Sequence, residues 1–253
     1  MKILSAFLLC VLLTAQTVLA QVSAPASAPA AKPQDPTIPA IKYDKDGVTP
    51  HVGFMKNHKK FVQQAKQGGI DLLFLGDSIT AGWAGNGREV WAKQYAKRNP
   101  ANFGFGGDRT QHVLWRIENG ELDGIKPKVI VLMIGTNNIG ADDAEKISQG
   151  VTKILETARA KTGAKVLLLG VFPRGENPVK GAKQRAKITR INELVSKLDD
   201  GKNVRYLDLK DKFLQPDGTI AKEIMHDYVH LTPEGYAIWA EAMAPLLTEM
   251  MGQ

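Results

Sequence analysis

The chain is predicted to fold as an α/β domain: a parallel sheet of five strands with helices on both faces, a three-layer α/β/α sandwich. Three observations predict it. The runs 72–75, 129–134 and 166–172 are near-continuous apolar stretches of strand length, the composition of strands covered on both sides. Longer amphipathic stretches lie between them. The two types alternate along the chain, and parallel neighbours need a crossover long enough to hold a helix.

The elements follow in order. Residues 1–20 have the pattern of an export signal: Lys2 gives a positive start, 3–18 is mostly apolar, and Val18, Leu19 and Ala20 offer cleavage positions. Export, to the periplasm or outside the cell, is therefore expected. The apolar stretch is short for an anchor and no later run reaches about 18 apolar residues, so no integral membrane segment is expected in the mature chain. Cys10, the one cysteine, lies inside the signal, behind Leu8 and Leu9 where a lipidation site needs small residues. The mature chain would then have no thiol nucleophile, disulfide or cysteine metal site. Residues 21–40 shift to Ala, Pro, Ser and Gln without apolar periodicity and are expected to form a disordered linker. Residues 41–253 suffice for one domain with a sizeable core.

Within that domain, helices are expected at 51–66, 90–98, 111–117, 144–161, 182–198 and 233–250. Thr232 and Pro233 open the last of them as N-cap and first helical residue. The runs 102–105 and 204–209 are weaker strand candidates that complete the five. The net charge of +7 comes from Lys and Arg dispersed along helix faces, with no aromatic-interleaved basic cluster, so it reads as a solvated surface and not a nucleic-acid site.

Sheets of this kind bind ligands beyond the C-terminal ends of their strands. Ser78 follows the first strand, Gly106, Gly107 and Asp108 follow the second, and Gly135, Thr136, Asn137 and Asn138 follow the third. Asp227 and His230 lead into the final helix, free to fold over that edge. A serine hydroxyl is a poor nucleophile unless a base removes its proton, and an imidazole does this better when a carboxylate fixes its tautomer. Ser78, His230 and Asp227 supply that set, which points to hydrolysis of acyl esters. His226 and His230 stand four apart, but they precede a Thr-Pro helix start and no third ligand is evident, so no metal or other cofactor is expected. Thr80 stands where the G-x-S-x-G nucleophile elbow has its last glycine, so the architecture is a different one. His51, His58 and His112 are assigned no chemistry. Of Trp83, Trp91, Trp115 and Trp239, most are expected in the core and not as a sugar-stacking platform.

Gly76-Asp77-Ser78, the glycine after the second strand, Gly135-Thr136-Asn137 and Asp227-x-x-His230 together resemble the four sequence blocks of the SGNH hydrolases, the GDSL esterase and lipase family, over roughly 56–247. The stretches 102–108, 112–116, 119–122, 135–138 and 173–176 are most similar to the catalytic-subunit branch of platelet-activating-factor acetylhydrolase Ib. The resemblance implies a flavodoxin-like sheet, Ser78 as nucleophile, His230 as general base and acid, and Asp227 as its orienting acid. It further implies an oxyanion hole made by the backbone N–H groups of Ser78 and Gly107 and the side-chain amide of Asn137. Asn138 departs from the Asp of many family members but agrees with the acetylhydrolase branch. The export signal departs from the intracellular habit of that branch.

Ile79, Thr136 and Val229 adjoin these positions and are expected to crowd the acyl site, restricting it to short, acetyl groups. The leaving group is not written in any residue. Acetylated carbohydrate is favoured from location, with a small-molecule or glycan ester as the partner. A lysophospholipase or thioesterase with a longer acyl groove, and a non-catalytic carbohydrate-binding envelope protein, remain alternatives.

Overall fold

A computed structural model of the protein describes residues 34–252. Residues 1–20, where an export signal is expected, and most of the expected linker lie outside the described residues. Five strands form one sheet: β1 (Leu72–Gly76), β2 (Pro100–Gly104), β3 (Val129–Met133), β4 (Lys165–Leu169) and β5 (Val204–Leu207). All pair in parallel, in the order β2-β1-β3-β4-β5. The expected α/β fold with a five-stranded parallel sheet is the one observed.

The period of two along a strand divides the core into two layers. Leu73 and Leu75 face one side with Val113 of α4 (Thr110–Arg116), Ile147 and Ile154 of α5 (Ala144–Thr162) and Ile191 of α6 (Ala182–Val195), while Phe61 of α1 (Val52–Gln67) closes the same layer. Leu72 and Phe74 face the other, against Tyr95 of α3 (Arg88–Tyr95) and Trp239 and Met243 of α8 (Pro233–Met251). Trp83 and Trp239 are sealed in this second layer and pack against each other in a tilted contact with ring centroids 4.9 Å apart, so neither is available to a sugar. Thr232 caps α8 by accepting from the N–H of Gly235.

Two short helices escape the apolar pattern. One is α2 (Ser78–Ala81), a single turn directly after β1, and the other is α7 (Lys210–Phe213). Strand β4 ends at Leu169 rather than running to 172, because both backbone groups of Val171 are taken by the carboxamide of Asn192 on α6, at 2.8 and 3.0 Å. A side chain has replaced the sheet ladder there.

The linker expectation needs correction at its end. Residues 34–40 are packed on the domain: Pro36 is buried, its carbonyl accepts from the Thr110 hydroxyl at 2.9 Å, and the N–H of Ala40 donates to Gln111 at 3.1 Å. The Gln34 side chain donates to the carbonyl of Ile41 and contacts His112. All but the Gln34–His112 contact use backbone groups, which composition does not register.

At the end of β2, Gly104 lets α2 press directly on the sheet: a Cβ there would lie 2.2 Å from the backbone nitrogen of Ala81. Gly104→Ala is expected to lower stability by about 2 kcal/mol or more through overpacking. The drop should be read as a lower urea midpoint at unchanged m-value, and an unaltered midpoint would contradict the contact.

Candidate active site

Ser78 begins α2, immediately beyond the C-terminal end of β1. Asp77 caps this turn, its carboxylate accepting the N–H of Ile79 at 3.0 Å. The Tyr236 hydroxyl of α8 donates to the carbonyl of Ile79 at 2.6 Å and pins the turn from below. The backbone that carries the serine is thus fixed at both ends.

Across the cleft, the segment before α8 folds back as expected. Its shape comes from Asp227: one carboxylate oxygen accepts the N–H groups of Val229 and His230 at 3.1 and 2.7 Å, and the other meets Nδ1 of His230 at 2.7 Å. Tyr228 adopts φ of 62°, uncommon for a bulky side chain, and its carbonyl accepts the N–H of Gly175. The opposite ring nitrogen of His230, Nε2, lies 2.9 Å from the Ser78 hydroxyl. Burial alone would raise the Asp227 carboxyl, but the His230 ring and the two turn amides together hold it down at about 2. It is therefore an anion throughout the working range, able to stabilise an imidazolium.

Gly107 and Asn137 converge on the same edge. Gly107 has φ of 71°, a region natural to glycine, in an exposed loop whose register is set where Phe105 donates to the carbonyl of Gly76. Asn137 donates one amide hydrogen to the carbonyl of Asp108 at 2.9 Å, which fixes the carboxamide and leaves its second hydrogen free to serve a ligand. Asn138, fully buried, binds α4 to this loop by accepting the Thr110 N–H and donating to Gln111 and Asp142.

Behind the loop lies an ion cluster that sequence analysis missed. Arg116 is sealed from solvent, with Nε 2.9 Å from Asp108, Nη1 2.5 Å from Glu121 and Nη2 3.0 Å from the carbonyl of Phe103. His58 completes it, 3.0 Å from Glu121. Arg174 was missed as well; it donates to the carbonyl and hydroxyl of Thr136 beside Asn137. Arg is polar by type, so its identity alone gives no sign that Arg116 is buried.

Of the residues expected to line the acyl site, Ile79 does not. It is 1% exposed and belongs to the core layer around Trp83 and Tyr236, because in a helical turn the residue after Ser78 projects about 100° away from it. Thr136 is buried under Arg174, and Val229 is half buried against the second core layer. The rings of His226 and His230 stack 6.3 Å apart. Among the described residues, no group of three or more His, Cys, Asp or Glu side chains is arranged to hold a metal ion. None of their helices is long and apolar enough to cross a membrane.

A profile of the GDSL-like lipase/acylhydrolase family matches residues 74–238, which include both Ser78 and His230. The chain belongs to that family. This GDSL acylhydrolase is 38% identical over 202 residues to the alpha1 subunit of platelet-activating factor acetylhydrolase IB from Bos taurus, covering 79% of the chain and 84% of the relative. Its fold is shared by a GDSL-like lipase from Bacteroides thetaiotaomicron (TM-score 0.61, 18% identity, 76% and 98% of the two chains). It is shared too by a carbohydrate acetylesterase family member from Sinorhizobium meliloti (TM-score 0.56, 19% identity, 72% and 99%). The GDSL acylhydrolase is accordingly a carboxylic ester hydrolase.

Asp77 is fully buried, one of its oxygens has no hydrogen-bond partner, and burial, reinforced by the charge of Asp108, pushes its carboxyl up to about 7. Its folded pKa lies above the ordinary 3.8, so between about pH 4 and 7 the folded acylhydrolase keeps a proton that the unfolded chain has released, and stability falls as pH rises through that window. Asp77→Asn keeps the cap acceptor and removes the titration. It should flatten the fall and leave the variant more stable than the parent at pH 8 by about 1–3 kcal/mol, while the two nearly coincide at pH 4. Parallel urea-midpoint profiles from pH 4 to 8 would contradict this.

Proposed function

We propose that the protein is an exported serine esterase that removes short acyl groups, acetyl above all, from an acetylated carbohydrate. The observation that carries the catalytic part is the unbroken line from the Asp227 carboxylate through His230 to the Ser78 hydroxyl, at 2.7 and 2.9 Å. In this scheme Nε2 of His230 takes the Ser78 proton as the oxygen attacks the ester carbonyl. The bond formed is Ser78 Oγ to acyl carbon, and the carbonyl electrons move onto oxygen. The N–H groups of Ser78 and Gly107 and the amide of Asn137 receive that oxyanion. Collapse expels the alcohol, which leaves with the proton from His230. Water then attacks the acyl-enzyme with the same base, releasing the carboxylic acid and restoring the serine.

Acetyl preference is supported by the acetylhydrolase relative and by the half-buried Val229 beside the base. The leader of residues 1–20 supports export, and export favours glycan over lipid as the carrier of the ester. The acetylhydrolase relative acts, by its name, on a different molecule, so the carbohydrate part stands on location. A groove of about 600 Å³ between α3 and α8 contains none of the reacting residues and has no part in this scheme.

Labelling with a fluorophosphonate should modify Ser78, and Ser78→Ala should abolish both labelling and turnover. Asn137→Ala should retain labelling yet lose about 10²–10³ in kcat, the usual cost of one oxyanion donor. A protein that binds glycans without chemistry would show neither. The chain-length dependence is a separate expectation: kcat/KM should fall steeply from p-nitrophenyl acetate to the octanoate, and equal rates would turn the assignment toward a lysophospholipase or thioesterase. Acetylated xylan compared with an acetylated glycerolipid then decides the leaving group.

A further inference from the structure

Lys42 places its ammonium directly against the glycine loop. It lies in the N-terminal segment, ahead of the residues that the family profile matches. The segment is tied down on both sides of it: Gln34 donates to the carbonyl of Ile41, and the N–H of His51 donates to the carbonyl of Lys42 at 2.8 Å. The side chain crosses the ring of Phe105, with Nζ 5.0 Å from the ring centre, and its ammonium donates to the carbonyl of Gly106 at 2.5 Å. A Cβ on Gly107 would stand 2.7 Å from that nitrogen, so the ammonium occupies the space that the glycine leaves open. Lys42 makes no ion pair among the described residues; its hydrogen bond goes to the peptide.

That peptide is the one whose N–H the proposed function assigns to the oxyanion. No peptide bond among the described residues is cis, so the carbonyl of Gly106 and the N–H of Gly107 point in opposite directions from one planar unit. A cation on the oxygen draws electron density toward itself and leaves the N–H a stronger donor on the far side, the usual polarisation along a hydrogen-bond chain. The positive charge also adds directly to the field felt by an anion forming there. We propose that Lys42 is a positioning residue of the esterase, tuning the oxyanion hole from behind by holding and polarising the Gly106–Gly107 peptide. The inference rests on the proposed oxyanion role of Gly107 and adds to it a group from a segment outside the four sequence blocks.

The charged groups facing Lys42 are Asp108 and Asp77, which favour its ammonium, and Arg109 and Arg116, which oppose it. Desolvation is the largest influence, and the ammonium is held below its ordinary range. The effect on the oxyanion should then be lost on the alkaline side as Lys42 gives up its proton.

The test compares Lys42→Met and Lys42→Arg with the parent, measuring kcat and KM for triacetin by alkali titration between pH 6 and 10. Lys42→Met should lose about tenfold in kcat, less than removal of a direct donor, with KM within about twofold and Ser78 still labelled by fluorophosphonate. Lys42→Arg should restore most of the loss. The alkaline fall of kcat in the parent should vanish in Lys42→Met and move to higher pH in Lys42→Arg. Unchanged kcat in Lys42→Met, a loss confined to KM, or one alkaline limb shared by all three proteins overturns the inference. If Lys42→Met does not fold, the alkaline limb of the parent against Lys42→Arg decides alone. Loss of activity in Ser78→Ala and Asn137→Ala without loss in Lys42→Met refutes only the role of Lys42. Retention of activity in all of them refutes the oxyanion assignment itself.

Discussion

A guanidinium cut off from water holds together the end of the sheet where the candidate site lies. Arg116 reaches Asp108, Glu121 and the carbonyl of Phe103, and so joins the last residues of β2 to the loop that follows it. Taking such a group out of water costs several kcal/mol, and only a full set of partners offsets the cost. A shift of any one element would strand a charge in the core. Asp108 passes the constraint on, since its own carbonyl receives the amide of Asn137 from the loop after β3. One side chain thus ties together the end of β2, the loop after it and Glu121, and Asp108 extends the tie to the loop after β3.

The strand order explains why this edge gathers the chemistry. Starting at β1, the chain first adds β2 on one side and then crosses to add β3 on the other. The connections leave β1 and β3 in opposite senses, which opens a crevice between their ends. Ser78 stands at the end of β1 and Asn137 beyond β3, with the 106–108 loop flanking them and His230 arriving from the segment before α8. Small residues make the crowding possible: Gly76 and Gly104 are paired neighbours at the ends of β1 and β2, and a Cβ on either would strike backbone atoms.

Most of this was legible in the sequence because it depends on apolar runs and on residue types that chemistry singles out. Strands β1, β3 and β4 are buried along all or nearly all of their length, and their Leu, Val and Ile content announces them, whereas β2 and β5 are partly exposed and leave a weaker sequence signal. Ser78, Asp227 and His230 were visible as a nucleophile set, and the structure puts them within hydrogen-bond reach of one another. What stayed hidden has a common cause. Pro36 and Lys42 make their contacts with carbonyls and a hydroxyl, which neither composition nor periodicity records, so their segment looked like part of a linker or its edge. Arg116 and Asp77 are polar by type and buried by position. Ile79 was misplaced because adjacency in sequence is not adjacency in a helical turn, where the next residue faces elsewhere.

The two oxygens of Asp227 do different things. One folds the turn by collecting two backbone N–H groups, and the other meets the imidazole. Architecture and the hold on the imidazole thus share a single carboxylate. A descendant that abandoned hydrolysis could not discard this aspartate without also unravelling the bend that displays the ring. Retention of Asp227 in an inactive cousin would accordingly say little about its chemistry, whereas the serine, whose hydroxyl shapes no bend, would be the first to drift.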